Sequence, residues 1–254
     1  MIKILNWRTK KQLSIILGAL FVVAFAVILI IFSLISNPNC SDEKQNQEEE
    51  GVDCGGSCTP CVVDPKEIIT LWTRVFRASS NTYDVAALIE NPNLFYGLPL
   101  LKYTFKIYDA ENVLLAIKEG QTFLNPRDKF VIFSSNINTD QREAVRAFVE
   151  IEKLSSWAYT EGEKSSIVVS EKNFSNFPSP FLRARLLNQS LFPVNNVLVT
   201  VVLYDESENA VAISSTKIDR ISAESNKDVT FTWPNSFLIE PTSSKVFTRV
   251  DLVK

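Results

Sequence analysis

The segment LKYTFKIYDAENVLLA, residues 101–116, has a close counterpart in VLVTVVLYDESENAVAI, residues 197–213. In both, apolar side chains recur at every second position up to a Tyr-Asp pair, which a polar turn and a second apolar run follow. A period of two is typical of a strand with one buried face, and the polar turn predicts a β-hairpin. The alignment places one extra residue in the second turn. A repeated hairpin is therefore the strongest structural signal in the sequence.

The similarity between the two halves extends beyond the hairpin. An asparagine lies in a predicted loop 16 or 17 residues before each Tyr-Asp pair, Asn91 in one half and Asn188 in the other. Asparagine satisfies local backbone groups in turns, and the proline after Asn91 favours an extended backbone there. An alternating segment closes each half, at residues 147–152 and 248–253. Each half therefore carries the strands of one small domain.

The region after residue 62 is predicted to be entirely β. It is rich in β-branched and aromatic residues interrupted by turn formers, and it contains no long helical stripe. Residues 68–76 fit both a helical and an alternating period, and their β-branched content favours a strand. We predict two copies of one β-sandwich, each of about seven short strands, at residues 66–153 and 165–254.

The predicted linker between the copies, residues 154–164, is short and polar at its end. A short linker restricts the angle between two domains. Trp157 and Tyr159 are expected to pack across the junction.

An apolar run without charged residues, residues 13–35, lies near the start of the sequence. About 20 helical residues cross the hydrocarbon core of a bilayer, so this run predicts a transmembrane helix and membrane lipid as a partner. The segment after it is acidic, and residues 1–12 before it are basic. The basic residues are Lys3, Arg8, Lys10 and Lys11. Since basic residues stay in the cytoplasm, we predict a cytoplasmic stub, a single-pass cell-membrane location and an extracytoplasmic C-terminal region.

A cleaved signal peptide is the main alternative, because it too has a basic start and an apolar core. Apolar cores of signal peptides span ~7–15 residues and end in a small-residue cleavage site. The run in this sequence is longer and ends in Ser-Asn-Pro-Asn, residues 36–39, which favours a retained anchor. Lipid attachment through Cys40 is a further alternative, which the preceding residues disfavour because they lack the small and aliphatic pattern of such sites.

All four cysteines lie in the segment CSDEKQNQEEEGVDCGGSCTPC, residues 40–61. They are Cys40, Cys54, Cys58 and Cys61. Thiols oxidise outside the cytoplasm, so two disulfides are predicted, and the spacing leaves all three pairings open. A zinc–thiolate site is the alternative. Residues 37–64 are thus predicted to be a cysteine-rich acidic spacer, covalently closed because so short a segment buries too little apolar surface to fold alone.

Acidic and amide side chains crowd the same segment, and glycines there permit tight turns. Calcium prefers hard oxygen ligands arranged in such a loop. The candidate ligands are Asp42, Asn46, Glu49 and Asp53. Calcium binding is one hypothesis for this segment, and a solvated spacer that binds no ion is the other.

The segment resembles a short cysteine-rich motif of bacterial secreted and surface proteins, C-x-D-G-x-x-N-x-x-E-x-G-x-D-C-G-G-x-C-x-x-C. The matching residues are Asp42, Asn46, Glu49, Gly51, Asp53, Cys54, Gly55, Gly56, Cys58 and Cys61. Glu43 stands where the motif has a glycine, which affects the first turn of an ion-binding loop. The resemblance implies a surface location and no particular activity.

The two hairpins resemble the FxLYD family and, more distantly, the immunoglobulin-like domains of the late-embryogenesis-abundant group. The resemblance rests on FKIYD, residues 105–109, and VVLYD, residues 201–205, with the upstream asparagines. Ile107 replaces the leucine of the family in the first copy, and Val201 replaces its phenylalanine in the second. Both exchanges keep an apolar core residue. The resemblance implies an all-β fold with two tandem immunoglobulin-like β-sandwiches and no catalytic role.

The composition disfavours an enzyme. The chain has no histidine, which removes the usual general base and the commonest transition-metal ligand. It has seven glycines and neither a G-x-S-x-G motif nor a glycine-rich phosphate loop. A net charge of −3 without a basic stripe argues against nucleic acid as a partner. No cofactor other than calcium is predicted.

The sequence favours a membrane-anchored module whose paired sandwiches bind another protein or an envelope component, or act as a scaffold. A purely structural surface spacer without a specific ligand is the second hypothesis. A glycan-cleaving enzyme is a third, because acidic side chains occur in both halves, although no pattern pairs them.

Overall fold

The computed structural model describes residues 7–34, 40–46, 49–61, 65–152, 157–160, 165–237 and 240–253. The chain forms two compact units, Met1–Asp64 and Pro65–Lys254. The first unit contains one helix and the cysteine-rich segment, and the second contains both sandwiches.

Helix α1 spans Trp7–Leu34 and is 28 residues long. At ~1.5 Å per residue this is about 42 Å, more than the ~30 Å hydrocarbon core of a bilayer. Its segment Lys11–Ile28 has a mean hydropathy of 2.2, so α1 is long and apolar enough to cross a membrane, as a signal sequence would also be. The described helix includes Trp7 and therefore extends before the predicted residue 13, because the basic residues that precede the apolar run contain no helix breaker. Residues 1–6 and 35 lie outside the described residues.

The described part of the first sandwich contains six main strands. They are β1 (Ile69–Arg77), β2 (Thr82–Glu90), β3 (Tyr96–Tyr108), β4 (Leu114–Leu124), β5 (Lys129–Asn138) and β6 (Arg146–Ile151). These strands form two antiparallel sheets with the orders β1-β2-β5 and β4-β3-β6. A two-residue strand, β7 (Ala158–Tyr159), pairs with the start of β3.

The described part of the second sandwich also contains six strands. They are β8 (Ile167–Ser175), β9 (Phe181–Asn188), β10 (Val194–Tyr204), β11 (Ala210–Ile221), β12 (Asn226–Thr232) and β13 (Ser243–Arg249). Their sheets have the orders β8-β9-β12 and β11-β10-β13. In both sandwiches, the first, second and fifth strands form one sheet and the third, fourth and sixth form the other. This identical order confirms the internal repeat, and β1 confirms the strand predicted at residues 68–76.

The described residues contain seven strands in the first sandwich, counting the two-residue β7, and six in the second, close to the predicted number of about seven. Some strands are longer than the short ones predicted, with 13 residues in β3 and 12 in β11.

The alternating apolar positions fill the space between the two sheets of each sandwich, as predicted. Leu101, Tyr103, Phe105 and Ile107 lie in the first core. Val197, Val199, Val201 and Leu203 lie in the second core.

A third apolar cluster joins the two sandwiches. From the first sandwich it contains Phe76, Ala86, Leu88 and Val131, and from the second Val202, Ala210, Ile213 and Phe247. The sheet β1-β2-β5 therefore packs on the sheet β11-β10-β13, and the four sheets form a stack of four layers. The two central sheets are apolar on both faces, which is why the two copies form one compact unit.

The expectation that Trp157 and Tyr159 pack across the junction is wrong. Trp157 packs against the core of the first sandwich. Tyr159 contacts the rings of Phe95 and Tyr96, with centroid separations of 6.0 Å in both pairs. The pairing of β7 with β3 directs both side chains onto the first sandwich, and sheet faces form the junction instead. Residues 154–156 and 161–164 of the predicted linker lie outside the described residues.

The Tyr-Asp hairpins have turns of equal length, so the extra residue placed in the second turn is wrong. Tyr108 pairs with Leu114, and Tyr204 pairs with Ala210. The Oδ1 of the turn aspartate accepts hydrogen bonds from the backbone N–H groups two and four residues later in both copies. A left-handed residue completes each turn, Asn112 with φ 63° and Glu208 with φ 58°. The alignment erred because asparagine suits this conformation better than glutamate does.

The two upstream asparagines are buried and join the two sheets of their sandwiches. Asn91 Nδ2 donates to the carbonyl oxygens of Tyr96 and Asn125, both at 2.8 Å. Asn188 Nδ2 donates to those of Phe192 at 2.8 Å and Ser222 at 3.0 Å. Each asparagine thus connects the end of the second strand to the start of the third and the end of the fourth.

Candidate functional site

A groove of about 560 Å³ lies between the two sandwiches. Its floor is the outer face of the sheet β1-β2-β5, which contributes Phe76, Asp84, Phe133 and Ser135. Strand β11 forms one wall with residues 211–215, and the segment after β12, residues 233–237, forms the rim. The groove therefore depends on the packing of one sandwich on the other.

Strand β11 lines the groove with its free edge. Among the described residues it pairs with β10 on one side and has no strand partner on the other. The carbonyl oxygen of Ile213 points to the free side, where it accepts a hydrogen bond from Trp233 Nε1 at 3.1 Å. An edge strand presents backbone N–H and C=O groups to which another extended chain can pair.

Aromatic side chains line the groove next to this edge. The ring of Trp233 is fixed by its hydrogen bond to β11 and by an edge-on contact with Phe237, whose centroid is 5.6 Å away. Phe133 and Phe76 lie on the floor. These rings supply apolar surface in one defined arrangement, as in most ligand sites.

Asp84 is the one acidic side chain among the described residues that line the groove. It lies opposite a bulge in β5, where Tyr83 pairs with Ile137 and Val85 pairs with Ser134. Asn136 in the bulge has φ 58°, and its N–H donates to Asp84 Oδ1 at 2.9 Å. Burial raises the pKa of the Asp84 carboxyl, and the hydrogen bond from Asn136 opposes this shift. Bulges commonly direct side chains into sites.

No cation of the described residues pairs with Asp84. Arg77 also lines the groove, but its guanidinium donates to the carbonyl oxygens of Ser79 and Ser80, both at 3.3 Å. The groove thus combines an apolar lining, a free strand edge and one half-buried carboxylate without a counter-charge.

Elsewhere on the same interface, the buried guanidinium of Arg249 is paired with a carboxylate and hydrogen-bonded. The Arg249 side chain reaches into the first sandwich and is 6% exposed. Its Nε donates to Asp128 Oδ2 at 3.0 Å, Nη1 donates to Thr122 Oγ1 at 3.1 Å, and Nη2 donates to the carbonyl oxygen of Phe123. The guanidinium also lies 3.6 Å from the centroid of the Phe130 ring. Burial lowers the pKa of Arg249 and the charge of Asp128 opposes this, but an arginine remains protonated.

Asn125 and Arg74 make further polar contacts across the interface. Asn125 Nδ2 donates to the carbonyl oxygen of Val250 at 2.9 Å, and its Oδ1 accepts from the N–H of Leu252 at 3.0 Å. Arg74 Nη2 donates to Asn209 Oδ1 at 2.7 Å. These contacts fix the relative position of the two sandwiches and hence the width of the groove.

The cysteine-rich segment forms two disulfides, Cys40–Cys58 and Cys54–Cys61. These pairs account for all four predicted cysteines, so none carries a thiolate for the alternative zinc site. Gly51 is required beside them, because a Cβ there would lie 2.9 Å from the sulfur atoms of Cys54 and Cys61.

The four candidate calcium ligands lie close together and bind parts of the segment itself. Asp53 Oδ1 accepts from the N–H groups of Asp42 and Glu43 at 2.8 and 3.1 Å. Asp42 Oδ2 accepts from Asn46 Nδ2 at 3.0 Å, and Glu49 Oε2 accepts from the Asn46 N–H at 3.1 Å. Among the described residues, no three acidic or cysteine side chains are arranged to bind a metal. Calcium binding stays a prediction.

Glu43, the departure from the motif, has φ 59°. This is the left-handed region that favours glycine, which is the residue that the resembled motif has at this position. Two hydrogen bonds from the Glu43 N–H to the Asp53 carboxylate, at 3.1 and 3.0 Å, stabilise the turn.

Sequence reasoning did not find the groove, although one signal was present. Lys102, Thr104 and Lys106 form the outer face of β3, whereas the equivalent positions of β10 are Leu198, Thr200 and Val202. The loss of two lysines from one copy of a repeat indicates that its outer face is covered. That pattern locates the interface but does not show which residues of the other copy lie opposite.

No family model matches the sequence, and no characterised protein matches it. Among solved structures, the chain is similar to the crystal structure of red sea bream transglutaminase, with 12% sequence identity and a TM-score of 0.24. The match covers 72% of this chain and 29% of the transglutaminase chain. A likeness this low carries no argument about function.

Proposed function

We propose that the protein is a single-pass cell-membrane protein whose extracytoplasmic β-sandwiches bind an extended segment of a partner protein in the groove. Helix α1 and the basic residues before its apolar part support an anchor with a cytoplasmic N-terminus. The two disulfides support an oxidising compartment for the rest of the chain. The proposal includes no catalytic step.

The edge of β11, which has no strand partner among the described residues, carries the proposal through the backbone groups other than the Ile213 carbonyl oxygen, which Trp233 already binds. A peptide strand that pairs with this edge lies over the outer face of β1-β2-β5 and against the aromatic rim. Strand addition derives affinity from main-chain hydrogen bonds and specificity from pockets for alternate side chains. The rings of Phe133, Trp233 and Phe237 form such a pocket.

Asp84 supports a basic side chain in the bound segment. Its side chain is half-buried and has no ion-pair partner among the described residues, and aromatic rings line the same groove. A lysine or arginine side chain there gains both the ion pair and contacts with ring faces.

The test is a selection of random linear peptides against the full chain in lipid nanodiscs. Selected peptides should bind the unmodified protein and lose binding to Ser135→Trp, which fills the floor of the groove. Gln121→Trp is the matched control, because Gln121 is equally exposed on a strand remote from the groove. Failure to select any peptide, or equal binding to both variants, would contradict the proposal.

Backbone methylation of a selected peptide then tests strand pairing. In a paired strand, every second N–H faces the edge of β11, so methylation at alternate positions should abolish binding and methylation at the intervening positions should not. Equal tolerance at both sets of positions is incompatible with strand addition.

We also propose that the two copies belong to the FxLYD group of immunoglobulin-like domains. The equivalent position of both Tyr-Asp pairs, at the end of the third strand of each sandwich, supports this. An alignment of related sequences in which the aspartate and the upstream asparagine vary freely would contradict it.

A structural spacer is the second candidate, favoured by the cysteine-rich segment. Two disulfides and the hydrogen bonds of Asp53 and Glu49 order this segment without a large core. A spacer function predicts that replacing the segment with a rigid linker of equal span leaves function intact. Calcium-dependent resistance of residues 40–61 to proteases would instead support ion binding.

A further inference from the structure

Two adjacent large apolar side chains are displayed at the loop between β9 and β10. Leu191 is 73% exposed and Phe192 is 75% exposed. Isolated exposed apolar residues are common, but these two are adjacent and lie on a loop that is held in one shape. Phe192 accepts hydrogen bonds at its carbonyl oxygen from Asn188 Nδ2 at 2.8 Å and Ser190 Oγ at 2.7 Å. These bonds hold the backbone at Phe192 against the buried Asn188.

The corresponding loop of the first sandwich, between β2 and β3, also displays an apolar residue, Leu94, which is 53% exposed. Both loops lie at the same end of the four-layer stack. Asn125, which binds Asn91 in the first loop, also binds residues 250 and 252, which follow β13. The end of β13 lies beside the start of β10, where the second loop ends.

The chain from the membrane helix arrives at this same end. The N–H of Lys66, which directly precedes β1, donates to Asn93 Oδ1 at 2.8 Å, and Asn93 Nδ2 donates back to the Lys66 carbonyl oxygen at 2.9 Å. The point of attachment is thus bonded to the β2–β3 loop. The tether keeps this end of the stack at a high effective concentration near the bilayer.

We infer that Leu191 and Phe192 insert into the interfacial region of the bilayer that α1 spans. The inference rests on the membrane anchor of the proposed function but not on the groove. Insertion removes both side chains from water and sets the orientation of the stack on the membrane surface. The turn between β10 and β11 and the groove rim lie at the end of the second sandwich opposite to Leu191 and Phe192. This orientation therefore places the groove away from the lipid.

The experiment uses the full chain reconstituted in phosphatidylcholine vesicles with a fluorescent label at one introduced cysteine. Phe192→Cys is compared with Phe177→Cys, because Phe177 is 71% exposed and lies in the β8–β9 loop at the opposite end of the same sandwich. All four native cysteines are in disulfides, so the label reacts with the introduced thiol. Quenching by nitroxide lipids and by aqueous iodide is measured at each position.

We expect lipid quenching at position 192 to exceed that at position 177 several-fold, and iodide quenching to show the reverse order. Equal, iodide-dominated quenching at both positions would overturn the inference. Flotation of the vesicles and resistance of the protein to carbonate extraction are measured in parallel. If the protein does not float with the vesicles, or if carbonate extracts it, the membrane anchor is contradicted. If the protein stays in the membrane but position 192 is exposed to water, only the insertion of the loop is contradicted.

Discussion

Arg249 and Asp84 are charged residues on the same interface between the two sandwiches, and their surroundings differ. Arg249 is buried and has a carboxylate, a hydroxyl and a carbonyl oxygen as partners. Asp84 is half-buried, accepts one backbone hydrogen bond, and has no ion-pair partner among the described residues.

The difference separates a structural contact from a candidate binding site. A buried charge is tolerated only when it is paired and hydrogen-bonded, which Arg249 achieves within the chain. Asp84 avoids that requirement because the groove leaves it open to water and to a ligand. The same interface thus holds the sandwiches together at Arg249 and remains available for binding at Asp84.

The largest expected effect comes from removing the carboxylate that pairs with the buried Arg249. Asp128→Ala leaves the Arg249 charge buried without its carboxylate, so we expect the free energy of unfolding to fall by about 3–5 kcal/mol. Urea unfolding of the full chain in detergent, followed by tryptophan fluorescence, measures this. Glu171→Ala is the control, because Glu171 pairs with Arg185 on the surface, where an ion pair contributes little, and we expect a much smaller loss. Equal losses would show that Arg249 does not depend on its partner.

A smaller effect is expected from Asn125. Asn125→Ala removes the part-buried hydrogen bonds to Val250 and Leu252, at a net cost of about 0.5–1.5 kcal/mol for each bond. Asn235→Ala, at the exposed rim of the groove, should change the unfolding free energy by no more than about 0.5 kcal/mol. The same urea titration compares the two asparagines. A loss at Asn235 as large as that at Asn125 would mean that the groove rim is also structural.

The next prediction concerns the open carboxylate. For a selected peptide with a basic residue, Asp84→Asn should weaken binding by about 1 kcal/mol, roughly fivefold, since the ion pair remains partly exposed to solvent. Fluorescence anisotropy of the labelled peptide measures the dissociation constant. Replacing the basic residue with norleucine should make the peptide insensitive to Asp84→Asn. If Asp84→Asn weakens binding of both peptides equally, the effect does not come from an ion pair with Asp84.

The smallest effect is a pH dependence of opposite sign at two aspartates. Burial raises the pKa of Asp84, so the folded state binds a proton more readily than the unfolded state does. The contribution of Asp84 to stability therefore increases as the pH falls from neutral through its raised pKa. Comparing the unfolding free energies of the unmodified protein and Asp84→Asn over this range should show that increase.

Asp205→Asn provides the control for the sign. The backbone N–H of Asn209 lowers the pKa of Asp205, so its stabilising contribution is complete above the ordinary pKa of 3.8 and is lost as the pH falls through the lowered value. The two variants should thus deviate from the unmodified protein in opposite directions at acid pH. Deviations of the same sign would contradict the raised pKa of the Asp84 carboxyl.

Features that depend on neighbouring residues were predicted correctly from the sequence. The alternation around Phe105 and Val201 predicted two buried strand faces, and the Tyr-Asp pairs predicted both hairpins, because a period of two and a turn are local properties. The shared strand order of the two sandwiches followed from the repeat. The length of the second turn was misjudged, because Glu208 adopts a left-handed backbone conformation that is unusual for glutamate.

The disulfides show the same limit. Compartment and clustering predicted two bonds, since both follow from composition and topology. The pairing of Cys54 with Cys61 places both sulfur atoms against Gly51, a contact that the spacing of the cysteines does not specify.

The sequence by itself determined the apolar helix, the oxidisable cysteine cluster and the two β-sandwiches, because each depends on residues close together in the chain. The tertiary structure alone decided that the sandwiches stack into four layers, that Arg249 meets Asp128, and that Asp84 and β11 share a groove. Asp84 and Ile213 are far apart in the sequence, and no local pattern encodes the pairing of surfaces that brings them together.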